Sequence, residues 1–164
     1  MADFQIPGKK FDAAFCTVDT FRHLLSEQKA KQHLINVAAA LKKDGVYILG
    51  IHLLTEKKVD NKVIRWTQRR GGLTVRTSMT MLELDRKKRM ETLKVVLNPE
   101  TSRKKESHTS IYPLRTYTLK QFKTLLEKSG VFRIMKAYDE YYDIENPISL
   151  DKHTDYAVMI LKKI

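Results

Sequence analysis

Cys16, Thr17, Val18, Asp19 and Thr20 place a thiol, two hydroxyls and a carboxylate within five residues at the end of a short, mostly apolar run. Cys16 is the only cysteine of the 164 residues, so it forms no internal disulfide, and no CxxC pair or Cys/His cluster is present to hold zinc. Its thiol reads either as a small buried hydrophobe or as part of a site wall. Asp19 and Thr20 either shape a turn into a helix or face a ligand. His52 closes a second apolar run, where an imidazole that titrates near neutral pH can serve as a base. His108, Arg115 and Tyr117 form a third group. Each also has an ordinary reading: a histidine facing water, an arginine paired with a carboxylate, a tyrosine packed at a helix entrance. Arg22 and His23 point either into a cleft or to solvent, and Trp66, the sole tryptophan, either lines a pocket or anchors a ribbon.

These residues need a frame. "FDAAFCTV", Phe11 to Val18, is too short for a helix and fits a strand covered on both faces. In "SEQKAKQHLINVAAALKKDG", Ser26 caps a helix whose buried stripe is Ala30, Leu34, Val37, Ala38 and Leu41. Lys42 and Lys43 are expected at its negative end, with Gly45 as the left-handed stop. "VYILGIHLL" follows as a second strand, completing a βαβ unit with the right-handed crossover usual for such connections. From Asn61 to Arg115 the pattern changes: Leu73, Val75, Thr77 and Met79 alternate with polar residues, as do Leu93, Val95 and Leu97 beyond the basic turn "DRKKR". That is an antiparallel ribbon with one wet face, and "SHTSIYPLR" adds a third strand kept at an edge by Pro113. Thr118 and Gln121 make a capping box for a final helix whose stripe is Leu119, Phe122, Leu125 and Leu126, stopped by Gly130. "VFRIMKAYDEYY" and "DYAVMILKKI" read as two closing strands.

The formal net charge is +12. Basic residues cluster at 9–10, 57–58, 69–70, 86–89 and 103–105, all in expected turns or loops. They read as solvated loops, with an anionic partner such as nucleic acid as the alternative. The first ten residues have no apolar core, and no run approaches the roughly 20 apolar residues that span a bilayer. A protein of the reducing cytoplasm, without membrane contact, is the expectation.

In order and spacing, "FDAAFCTVDTFRHLLSEQKAKQHLINVAAALKKDGVYIL" resembles the fourth strand, helix and fifth strand of class I S-adenosylmethionine-dependent methyltransferases. "RTYTLKQFKTLLEKSGVFRIMKAY" is similar to that family's last helix and sixth strand, and "DYAVMILKKI" to its antiparallel seventh. The resemblance implies an α/β fold: a partial Rossmann-like sheet of the last parallel strands and a final antiparallel strand. On this reading residues 1–164 form one truncated domain with 61–115 as a β insert. It further implies S-adenosylmethionine as cofactor, with residues 16–20 beside its methionine portion and the transferred methyl, and a small-molecule acceptor near His52, His108, Arg115 or Tyr117. The family's glycine-rich turn and ribose-binding acid belong to strands that would precede Phe11, and Gly71-Gly72 does not replace them. In relatives an acid often stands two residues before His52, and here that place is Gly50. Three readings follow: a methyltransferase-like chain that binds the cofactor weakly or not at all by itself; a non-enzymatic fragment that pairs as a homodimer or with a separate N-terminal half; and a basic module derived from an RNA methyltransferase.

Overall fold

The computed structural model describes residues 1–56 and 63–164, so the Lys57-Lys58 cluster and the start of the insert at Asn61 lie outside the described residues. The chain divides into two compact units, one built from 1–57 and 115–164 and the other from 58–114.

In the first unit β1 (Phe11–Cys16) leads through a 3-10 turn (Thr20–His23) to α1 (Glu27–Ala40) and β2 (Leu41–His52). The chain returns at Arg115 to form α2 (Leu119–Ser129), β7 (Phe132–Tyr138) and β8 (Tyr156–Lys163). The sheet order is β1-β2-β8-β7; β1 and β2 run parallel, and β8 is antiparallel to both its neighbours. This is the α/β frame and antiparallel closing strand the sequence indicates.

Strand register decides which residues share a face. Tyr47, Leu49 and Ile51 of β2 stand opposite Leu161, Met159 and Ala157 of β8, and all six are buried. They join Leu34 and Val37 of α1 with Phe122 and Leu125 of α2 in one apolar core. Each such large side chain withdrawn from water is worth about 1.5–3 kcal/mol. The alternate residues, Ile48, Gly50 and His52, belong to the other face with Ile160, Val158 and Tyr156.

Ser26 accepts from the Lys29 amide and caps α1. The helix ends differently from the expectation. It stops at Ala40, and Lys42 and Lys43 already lie on β2, so they do not sit in its last turn. Lysines from elsewhere replace them, because the Nζ atoms of Lys10 and Lys163 donate to the carbonyls of Ala39 and Leu41. Asp44 adopts the left-handed conformation (φ 63°) in place of Gly45. Gly45 is needed for space instead: a Cβ there would lie 3.0 Å from that of Leu41 and 3.2 Å from the Asp12 carbonyl. On α2 the capping box of Thr118 and Gln121 is formed in both directions, and Gly130 (φ 66°) stops the helix.

The second unit is a four-stranded antiparallel sheet in the order β3-β4-β5-β6, from β3 (Ile64–Arg70), β4 (Leu73–Asp85), β5 (Met90–Glu100) and β6 (His108–Arg115). Thr77 and Met79 stand opposite Leu97 and Val95, as the alternation indicates. β3 was not foreseen. Its residues are exposed throughout, and Gln68 and Arg70 interrupt the apolar side that Ile64 and Trp66 begin, so its period of two is masked. Gly71-Gly72 forms the two-residue turn of this β3–β4 hairpin.

Candidate functional site

β1 and β2 end side by side, Cys16 being opposite Leu49, and the start of β8 places Tyr156 opposite His52. Beyond β1 the chain turns sharply, with Val18 (φ 55°) and Asp19 (φ 62°) both left-handed. Two consecutive residues with side chains in that region cost strain. The carboxylate of Asp19 offsets it with three interactions. Oδ1 accepts the His52 backbone amide at 2.7 Å, Oδ2 lies 2.5 Å from His52 Nδ1, and Arg22 Nη1 donates to Oδ2 at 3.2 Å. Burial opposes ionisation of Asp19, but the His52 hydrogen bond and the Arg22 charge outweigh it and hold the carboxyl below its ordinary range.

An ionised carboxylate can only accept, so Nδ1 of His52 carries a proton, and in the neutral form of the ring the lone pair is on Nε2. The His52 side chain is 57% exposed. An imidazole held at one nitrogen by a carboxylate and open at the other can take a proton from an incoming amine or hydroxyl. His52 also packs on Tyr156, ring centroids 4.6 Å apart, and the Tyr156 hydroxyl lies 3.3 Å from that of Tyr142. Burial raises the Tyr156 phenol well above its usual value, so it stays a neutral donor.

Gly50 explains how the tyrosine fits. A Cβ at this position would stand 2.7 Å from the Tyr156 hydroxyl. The phenol therefore occupies the space a side chain at position 50 would need.

The remaining candidates separate. Cys16, Thr17 and Thr20 line a cavity of about 440 Å³ with Phe4, His33 and Tyr47. Burial raises the Cys16 thiol, which suits a wall and not a nucleophile. The Thr20 hydroxyl is turned to the Thr17 carbonyl. Val18 is 74% exposed at the turn. Asp19 is engaged by His52 and Arg22, so this cavity's lining offers no carboxylate for a ribose. The residues present thus fit one wall of a cofactor site and lack the group that would grip its sugar.

Tyr117 is fully buried against Phe21 and Phe122 and belongs to the core. Arg115 donates to the Leu25 carbonyl at 3.0 Å and lies over the Tyr117 ring. Its own carbonyl accepts from Arg22 Nε at 3.0 Å. His108 begins β6 and is exposed. Arg22 points neither into a cleft nor to solvent; it is buried as the brace between Asp19 and Arg115. Tyr156 and Tyr142 were missed, although the antiparallel closing strand implies that its first residue meets the end of β2. Among the described residues no group of three or more His, Cys, Asp or Glu could hold a metal ion, and no helix is long and apolar enough to cross a membrane.

No protein-family model and no curated protein matches the sequence. Solved structures do. An S-adenosylmethionine-dependent methyltransferase from Clostridium acetobutylicum superposes with a TM-score of 0.75 at 17% identity, over 98% of this chain and 61% of that one. An amino pentose methyltransferase of calicheamicin biosynthesis from Micromonospora echinaspora, solved with S-adenosylmethionine bound, gives 0.69 at 16%, over 99% and 62%. The sugar N-methyltransferase KedS8 of a Streptoalloteichus species gives 0.68 at 13%, over 97% and 59%. The chain thus spans about three fifths of the length of these neighbours. Over that span it has the α/β fold of S-adenosylmethionine-dependent methyltransferases.

Proposed function

We propose that this chain forms part of an S-adenosylmethionine-dependent methyltransferase of the cytoplasm that acts on a small molecule bearing an amine or hydroxyl, with His52 as the proton acceptor. The observation that carries the reading is the grip of Asp19 on His52 at both the backbone amide and Nδ1. It sets the tautomer and direction of the ring at the sheet edge where open α/β folds place their ligands. When bound, the cofactor supplies an activated methyl group, so the protein's task is alignment and removal of a proton. Cys16, Thr17 and Thr20 would form its wall on this side, and Tyr156 and Tyr142 would offer hydroxyls to the acceptor.

The cofactor site is completed by further polypeptide lying along β1. Two observations support this. Phe15 is 79% exposed on a strand that pairs on one side only, a costly state for an edge, and Val18 in the turn just beyond it is 74% exposed. About two fifths of each methyltransferase neighbour also lies outside the match. The completing segment is an α/β polypeptide that adds a strand to β1. A second copy of this chain is the competing occupant, and light scattering separates the two: a homodimer points to self-pairing.

Calorimetry tests the cofactor part. This chain alone is expected to show S-adenosylmethionine binding too weak to fit, and tight one-to-one binding would overturn the need for a completing segment. In the completed enzyme His52→Gln is expected to lower kcat about 10²–10⁴-fold with KM little changed. An unchanged kcat would remove His52 from the reaction.

A further inference from the structure

The second unit holds most of the excess positive charge. Residues 58–114 contain 14 Lys and Arg against 6 Asp and Glu, a net of +8 out of the chain's +12. Antiparallel pairing gathers much of it at one end of the sheet. β3 ends at Arg70, β4 begins at Leu73, β5 ends at Glu100 and β6 begins after the loop at 101–107, so both connections lie at the same end. Arg69, Arg70, Arg76, Arg103, Lys104 and Lys105 therefore converge there, all exposed.

Register arranges part of this set as a row. Arg69 stands opposite Thr74, Thr74 opposite Glu100, and Glu100 is bridged to Lys105 in the loop before β6, a row that crosses β3, β4 and β5 and reaches that loop over about 14 Å. Carboxylates neutralise only some of the charge. Glu100 pairs with both Arg76 and Lys105, and Glu106 pairs with Lys104, leaving a net of +4 from six cations and two acids. Thr67, Arg76 and Asn98 form the next row on the same face. Trp66 projects from the opposite face by strand alternation.

We infer that this end of the four-stranded sheet docks on the phosphate backbone of a nucleic-acid duplex. Guanidinium and hydroxyl groups on a rigid strand lattice suit phosphate and sugar oxygens. Arg70 lies on the Trp66 side, but the face that carries Arg69 and Arg76 has no aromatic residue in its two rows, Arg69-Thr74-Glu100 and Thr67-Arg76-Asn98, so it lacks the stacking platforms that retain single strands. Recognition is consequently independent of base sequence. It uses neither the Asp19–His52 pair nor the cofactor wall, and stands or falls separately from methyl transfer.

Fluorescence anisotropy with a labelled 20-base-pair duplex, as DNA and as RNA, tests this on the full chain. Neutralising about four phosphates gives a log–log salt slope near −3.6, so affinity falls roughly 150-fold between 50 and 200 mM salt. Arg69→Glu, Arg70→Glu and Arg103→Glu together are expected to reduce affinity at least tenfold and flatten the slope. Lys120→Glu, on the exposed side of α2, is expected to leave both unchanged. The milder Arg69→Gln, Arg70→Gln pair, with circular dichroism as the fold check, is expected to lower affinity with intact structure. Similar affinity for DNA and RNA supports backbone docking. Absence of binding at 50 mM salt, binding indifferent to the charge reversals, or tighter binding to the separated single strand would overturn the inference.

Discussion

Replacing Gly50 by alanine tests whether the absence of a side chain on β2 is what admits Tyr156 to the sheet edge. The added Cβ would stand 2.7 Å from the Tyr156 hydroxyl and 3.3 Å from both Thr17 Cα and Val18 N. Neither side yields easily. The backbone of β1's exit turn lies behind the methyl, and the phenol ring is held by His52 at 4.6 Å with its hydroxyl near that of Tyr142. Overpacking of this kind costs about 1–3 kcal/mol. Against it, alanine is favoured over glycine inside a strand by roughly 0.5–1 kcal/mol, so a net loss of about 1–2 kcal/mol is expected. Removing the hydroxyl removes the closest contact. In a Tyr156→Phe background, Gly50→Ala should therefore be within about 0.5 kcal/mol of neutral, giving a coupling of about 1–2 kcal/mol in the double-mutant cycle. Urea unfolding followed by circular dichroism measures all four corners. Equal costs of Gly50→Ala in the two backgrounds would refute the argument that the phenol owns this space.

Other outcomes follow from the same geometry. Burial lowers the His33 pKa below its usual 6.5 even though Met1 and Tyr47 hydrogen-bond the ring. The folded state therefore resists protonation. The resulting stability is full above about pH 6.5 and declines as pH falls, which a series of urea midpoints would show; a flat profile from pH 7 to 5 contradicts it. Asp19 is also lowered, so its contribution persists to more acid conditions and is lost below about pH 4. Glu100, hydrogen-bonded by Lys105 and Arg76, is expected to titrate at about 2 in a carbon-detected NMR experiment, and an ordinary carboxylate value would mean those pairs do not form. Phe122→Ala is expected to cost about 3–5 kcal/mol, because its ring meets both Phe21 and Tyr117 in the core; a loss under 1 kcal/mol would contradict that packing.

Local signals made much of this frame legible. Ser26, Thr118 with Gln121, and Gly130 each announce a helix boundary through a bond or a backbone angle that nearby residues determine. The end of α1 was not legible, because its carbonyls are met by Lys10 and Lys163, far away along the chain. The site shows the same division. Asp19 and His52 were each visible as titratable groups after apolar runs, yet their pairing depends on parallel alignment of β1 with β2 and on two left-handed residues at 18 and 19. Tyr117 looked equally reactive and is core, since only tertiary packing distinguishes a phenol in a cleft from one beneath Phe21. β3 escaped notice because the apolar side that Ile64 and Trp66 begin is broken by Gln68 and Arg70, which leaves too short an alternation to reveal its period.

The order of strands also bears on biogenesis. β8 lies between β2 and β7, yet the ribosome makes it after both. Until residues 156–163 emerge, β2 and β7 have no shared neighbour and the core lacks Ala157, Met159 and Leu161. The ribbon at 58–114 is continuous in sequence and meets no such delay. During synthesis, then, the inserted sheet can form first, and the unit whose sequence flanks it stays open, its apolar faces available to chaperones, until the strand at 156–163 threads into place.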